Sequence, residues 1–178
     1  MGWFSRKSDP DAGVADDRGA PAPARYPAAD ETLIDENGMG PLRPRDRGLG
    51  EGERERIAAG LAALAEAGVD VDNLESLAAA YDQAYAQWSG TAKRRREDHD
   101  LLVERFAIGL GEYLTGHTDL RWRIVTDVFG TDLAVADERE GDFVVVPGNL
   151  VAARWMRGET GWLPGVVRHL ISVRESAR

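Results

Sequence analysis

The chain has 178 residues and no cysteine. Disulfides, thiol nucleophiles, iron–sulfur clusters and cysteine-bound zinc are therefore excluded, and the absence fits a reducing compartment such as the cytoplasm. Lysine is scarce. Only Lys7 and Lys93 occur, and every other basic residue is arginine. Together with the Ala, Gly, Asp and Val bias, this points to a GC-rich bacterial genome. Long apolar runs are missing too. No window approaches the roughly 20 residues a membrane-spanning helix needs. The start, Met1 to Lys7, carries no apolar segment of the kind a secretory signal requires.

Histidine is limited to His99, His117 and His169, with no His-x-His or His-Glu-x-x-His pair. Neither a Gly-x-Ser-x-Gly elbow nor a phosphate-binding loop occurs. Asp70-Val-Asp72 starts like a calcium loop, but Glu75 stands where the turn glycine belongs and Tyr81 where the bidentate glutamate belongs. Gly109-Leu-Gly111 lies inside a helical pattern and lacks a third glycine, so it is no dinucleotide fingerprint. Positive charge is in deficit, with a formal net charge of −9. The single basic run, Lys93 to Arg96, is offset at once by Glu97, Asp98 and Asp100, whereas a nucleic-acid surface needs basic residues spread over a face. These absences point away from catalysis, from cofactors and metals, from nucleic acid and from membrane spans.

What is present divides unevenly. Residues 1–48 are rich in Asp, Pro, Ala, Gly and Arg, a composition that cannot bury enough apolar surface to offset its ordering entropy. They are expected to form a disordered tail, with Leu33-Ile34 and Met39 as its only docking candidates. Residues 49–178 are expected to form a single domain. Its first part, residues 49–90, reads as a helical hairpin. Ile57, Leu61 and Leu64 share one face of the first helix, and Gly68 is placed to cap its end. Asp72, with Glu75 three residues on, is placed to start the second, which carries Leu77, Tyr81, Tyr85 and Trp88 at helical spacing.

A third helix runs from about Asp98 to Leu114, buries Leu102, Phe106 and Leu110, and is capped by Gly116. Gly109 and Gly111 weaken it by up to about 1 kcal/mol each, which close packing of another element could offset. Strands follow. Leu120, Trp122, Ile124 and Val128 alternate onto one face and Arg121, Arg123 and Asp127 onto the other. After a turn at Phe129-Gly130, Thr131 to Ala136 returns, and Phe143 to Val146 forms a third apolar run. Asn149 can cap the next helix, and Pro164 suits the first turn of the last. The fold class is α+β: a helical hairpin and a longer helix on a small antiparallel three-stranded sheet, closed by C-terminal helices.

Two sets of residues are candidates for function. If Phe129-Gly130 is the turn, Asp127 faces Asp132, and like charges directly opposite each other are unfavourable unless they serve a purpose. With His117 in a nearby loop, this pair is the basis for a small hydrolase or metal-assisted enzyme. The leading expectation is different. Trp155, Met156, Arg157 and Trp162 cluster around the Gly158–Gly161 loop, and Trp, Met and Arg are enriched where proteins meet. They suggest a non-catalytic interaction or regulatory module with a protein partner.

Leu110-Gly111 on a helix, Trp122 on the first strand, Asp127-Val-Phe-Gly130 before an apolar return strand, the Val-Val-Pro147 step and the helix ending at Arg157-Gly158 form a pattern. Over roughly residues 98–170 it resembles the bacterial family named domain of unknown function 3806. The resemblance implies no activity, cofactor or catalytic residue. The helical hairpin and the tail lie outside it.

Overall fold

Helix formation begins where glutamates can satisfy the free amides of a first turn. The computed structural model describes residues 45–127, 130–137 and 143–176, so Leu33, Ile34, Met39, Val128 and Phe129 lie outside the described residues. Helix α1 spans Glu51–Glu66. Its cap is reciprocal: Glu53 folds back so that Oε2 accepts the Gly50 amide at 2.7 Å. Gly68 ends it in the left-handed region, φ +75°, where a Cβ would be strained.

Helix α2 spans Leu74–Gly90. Its cap is Asn73 rather than the expected Asp72. Asn73 Oδ1 accepts from the amides of Glu75 and Ser76 at 3.0 and 3.1 Å, while Asp70 Oδ1 takes the Asp72 amide at 3.1 Å in the preceding turn. A single turn of 3-10 helix, Lys93–Arg95, leads to α3, His99–His117. Gly116 does not stop α3. The helix runs one residue further and closes with Thr118, whose hydroxyl donates to the Leu114 carbonyl at 2.6 Å.

Four strands form one antiparallel sheet in chain order: β1 Arg45–Arg47, β2 Arg121–Asp127, β3 Gly130–Ala136 and β4 Val144–Val145. The expected sheet had three. The extra edge strand comes from residues assigned to the tail, and Asp46 is what anchors it. Its carboxylate meets Arg123 Nε at 2.6 Å, and its backbone pairs with Val125. The sheet is also less one-sided than the Arg121–Arg123 alternation suggests. Val125, Ala134 and Ala136 are buried on that face as fully as Ile124 and Val135 are on the other.

Helices α4, Pro147–Arg157, and α5, Leu163–Ser176, complete the chain. Pro147 opens α4 as its first residue, so Val146 takes the cap position expected of Asn149. Gly158 ends α4 at φ +69°. Arg174, near the end of α5, grips Asp119 with two nitrogens at 2.9 Å each and buried Asp137 with a third at 3.0 Å.

Helix α3 is the central element. The pair α1 and α2 is joined by a short connection, as a hairpin requires, yet each packs chiefly on α3. The glycines explain this. A side chain at Gly109 would collide with Leu64 of α1 and Leu77 of α2, and one at Gly111 would collide with the Trp122 ring of β2. Both leucines are fully buried. Two flat places on α3 therefore let two helices and the sheet approach it closely, which offsets the cost of glycine in a helix. No helix among the described residues is long and apolar enough to cross a membrane.

Candidate functional site

The corner between α4 and α5 rests on aromatic packing. Tyr81 of α2 is fully buried. It meets Phe106, Trp155 and Trp162 edge to face, at centroid separations of 5.5, 5.6 and 5.6 Å, the geometry aromatic quadrupoles favour. Tyr85 and Trp88, one and two turns along α2, contact Trp155 at 5.1 and 5.5 Å. The loop after α4 is fastened to the same helix. The Gly161 amide donates to the Asp82 carboxylate at 2.9 and 3.1 Å. Gly158 sits under the Tyr85 hydroxyl with no room for a Cβ.

The four residues expected to make a contact surface part company here. Trp155 is 1 % exposed and belongs to the core. Trp162 is part-buried, with the Arg154 guanidinium 4.5 Å above its ring. Met156 is 72 % exposed, unusual for so large an apolar side chain. Arg157 is exposed beside it and pairs with Glu159 at 2.6 Å. That contact holds the Glu159 carboxyl below its ordinary range and raises the Arg157 guanidinium further. The outer surface of the corner thus consists of Met156, Arg157 and the rim of Trp162, with Trp155 as support beneath.

Polar atoms inside the cluster are poorly satisfied. Tyr81 Oη, Trp155 Nε1, Trp162 Nε1 and Arg154 Nε are buried without a hydrogen bond among the described residues. Burial pushes the Tyr81 phenol above the ordinary tyrosine value. The Trp162 indole lies near enough to oppose that shift, but the two groups do not reach hydrogen-bond geometry.

The acidic pair is arranged differently from the expectation. Asp127 pairs with Gly130, Thr126 with Thr131, and Val125 with Asp132. Gly130 is therefore a paired residue of β3 rather than part of the turn, and Asp132 faces Val125 rather than Asp127. The side chain of Asp127 lies outside the described residues. His117 belongs to the end of α3, stacked on Tyr113 at 3.9 Å with Nδ1 2.8 Å from the Tyr113 carbonyl. It precedes the start of β2, whereas Asp132 pairs with Val125, four residues beyond Arg121, a rise of about 13 Å along the strand. The fold does not bring His117 and Asp132 together.

Asp98, His99 and Asp100 place ligand atoms within 4.8 Å of one another, a grouping that no metal-motif spacing marks in the sequence. Its local role is structural, because Asp98 Oδ1 accepts the Asp100 amide at 3.0 Å and starts α3.

Residues 82–165 match the model of a family described as Domain of unknown function (DUF3806), which bears out the resemblance. The match begins inside α2, earlier than residue 98, and takes in Asp82, Tyr85, Trp88 and the whole α4–α5 corner. It leaves out α1 and the first turns of α2. No curated protein and no solved structure matches the chain.

Proposed function

We propose that this protein is a non-catalytic interaction or regulatory module of the bacterial cytoplasm, and that it meets a protein partner through the α4–α5 corner. The observation that carries the proposal is Met156. An unbranched, polarisable side chain stands largely in solvent on an aromatic base, beside a charged Arg157–Glu159 pair. Flexible methionine suits variable apolar partners. Arginine at its side supplies directional hydrogen bonds. Because the support is tied to α2 through Asp82 and Tyr85, little order would be lost on binding.

The test compares wild type with a Met156→Glu, Arg157→Glu double variant in affinity capture from the native host. Both side chains are exposed, so the variant should keep its circular dichroism and melting profile. The expected result is a specific protein held by wild type and lost by the folded variant. A partner retained equally by both would place the contact surface elsewhere.

A further inference from the structure

A second concave feature lies away from that corner. A cleft of about 480 Å³ opens between the end of α1, the outer face of α2, the Arg95–Glu97 linker and the first turns of α3. That volume suits a small organic ligand. Its floor is apolar, formed by Leu64, Leu102 and Phe106. Ala80 and Ala84, one turn apart on α2, keep one side low.

The wall is Trp88, and it is held on several sides. Its indole N–H donates to the Glu97 carbonyl at 3.0 Å. Trp155 packs against it at 5.5 Å. The Arg96 guanidinium stands 4.5 Å from its ring centre, itself fixed by bonds to the Thr91 and Ser89 carbonyls at 2.8 and 2.9 Å. Such a wall is ordered before any ligand arrives.

The rim is basic in a chain of net charge −9. Arg95, Arg96 and Arg105 line it against Glu97 alone. Arg96 is occupied with the backbone, and Arg105 reaches Glu97 at 3.2 Å. Arg95 is exposed, and its side chain makes no ion pair or hydrogen bond among the described residues. Gln83 and Gln87 line the opposite side with amides equally uncommitted among the described residues. A cleft bounded by low-dielectric walls focuses the field of such charges.

We propose that this cleft binds a small planar carboxylate, an aromatic or heteroaromatic acid whose ring lies on Leu102 and Phe106 beside Trp88 while its carboxylate meets Arg95. Arginine matches a carboxylate with two parallel hydrogen bonds. The glutamine amides can accept or donate to ring substituents. A nucleic-acid strand fits less well, because the basic residues surround one opening and Asp98 and Asp100 follow at once, so no basic track leads away from it. The inference does not depend on the α4–α5 contact surface.

The test uses the full chain and a matched pair of probes, naphthalene-2-carboxylate and its neutral carboxamide, followed by amide and indole N–H resonances. The expected result is saturable binding of the carboxylate, shifts centred on the Trp88 indole N–H and on Gln83 and Gln87, and affinity for the carboxamide about tenfold weaker. Arg95→Glu, at an exposed and unpaired position, should keep the spectrum of a folded protein. It should weaken the carboxylate about tenfold and leave the carboxamide unchanged. Equal affinity for the two probes, an Arg95→Glu variant with unaltered carboxylate binding, shifts centred away from Trp88, or no saturation at millimolar probe would each overturn the proposal.

Discussion

The Trp122 ring lies directly against Gly111, with no room for a Cβ between β2 and α3. The same indole donates its N–H to Glu112 Oε2 at 3.0 Å, so α3 both receives the ring and fixes its orientation. Alanine normally strengthens a helix relative to glycine by about 1 kcal/mol. Here it must push the ring or the sheet aside. Gly111→Ala is expected to cost about 1–3 kcal/mol. Gly52→Ala, in the first turn of α1 with open space around it, is expected to gain up to about 1 kcal/mol. Urea unfolding of the two variants beside wild type measures both signs. Equal effects would mean that the Trp122–Gly111 contact does not set the helix–sheet distance.

Those glycines show what was legible in the chain. Their position inside a helical pattern signalled close approach, because a helix retains such residues at a cost only when something packs there. The partners Leu64, Leu77 and Trp122 were not legible, since periodicity identifies a face but not what meets it. This is also why a hairpin was expected of α1 and α2 while the structure seats both on α3. The helices, the turn at Gly68 and Pro164 in the first turn of α5 followed from local chemistry. Strand β1 did not, because Arg45-Asp-Arg47 has no apolar alternation and is held by its edge pairing and two ion pairs. The strand pairing differs from the expected one by two residues, which keeps each side chain on its face but puts Val125 rather than Asp127 opposite Asp132. At the α4–α5 corner, composition grouped Trp155 with Met156 but could not tell that the first is buried and the second exposed. The cleft was missed because its residues come from three helices and a linker, and the run Lys93 to Arg96 read as a solvated loop.

Tyr81 offers a test of the aromatic cluster. Its hydroxyl is buried without a hydrogen bond among the described residues, so Tyr81→Phe removes an unsatisfied group while keeping the ring. The expected change in stability at neutral pH is between zero and a gain of about 1 kcal/mol. The alkaline limb should change as well. Burial raises the folded phenol above the ordinary value of about 10. Between the two values the unfolded chain has lost its proton and the folded protein keeps it. The stabilising contribution is therefore complete below the unfolded pKa and is lost as pH rises through the folded one. Tyr81→Phe should move the alkaline unfolding midpoint upward. A marked loss of stability at neutral pH would show that the hydroxyl is satisfied after all.

Arg174 joins three parts of the chain through Asp119 and Asp137, with its guanidinium 5.9 Å from the Phe143 ring centre. The Asp137 side chain is only 4 % exposed. Removing the cation leaves that carboxylate without one of its partners in low-dielectric surroundings, a larger loss than breaking an exposed pair. Arg174→Ala should lower the melting midpoint clearly more than Arg168→Ala, whose partner Glu75 is 70 % exposed. Arg174→Lys should recover only part of the loss, because an ammonium group cannot span both carboxylates as a fork does. Equal melting of the two alanine variants would demote the Arg174 clamp to a surface contact.

Strand β1 decides where the folded domain starts. The composition placed the boundary after residue 48, so that a chain beginning at Gly50 should lose nothing. The structure argues otherwise. Arg45–Arg47 pairs along β2 from Thr126 to Ile124. The Asp46 side chain is only 12 % exposed where it meets Arg123, and Arg47 reaches Glu53 at 2.8 Å beside the first turn of α1. Cutting at Gly50 would expose the β2 edge and leave Arg123 without Asp46. A chain beginning at Gly50 is therefore expected to be less stable than one beginning at Arg45 by about 1–3 kcal/mol, the scale of a few backbone hydrogen bonds, one part-buried charge-assisted pair and one exposed pair. Asp46→Ala in the longer chain should reproduce part of that loss. Hydrogen exchange at the Ile124 and Thr126 amides gives a second readout, since an uncovered edge should exchange faster. If the two chains unfold at the same urea concentration, β1 adds no stability and the boundary read from composition stands.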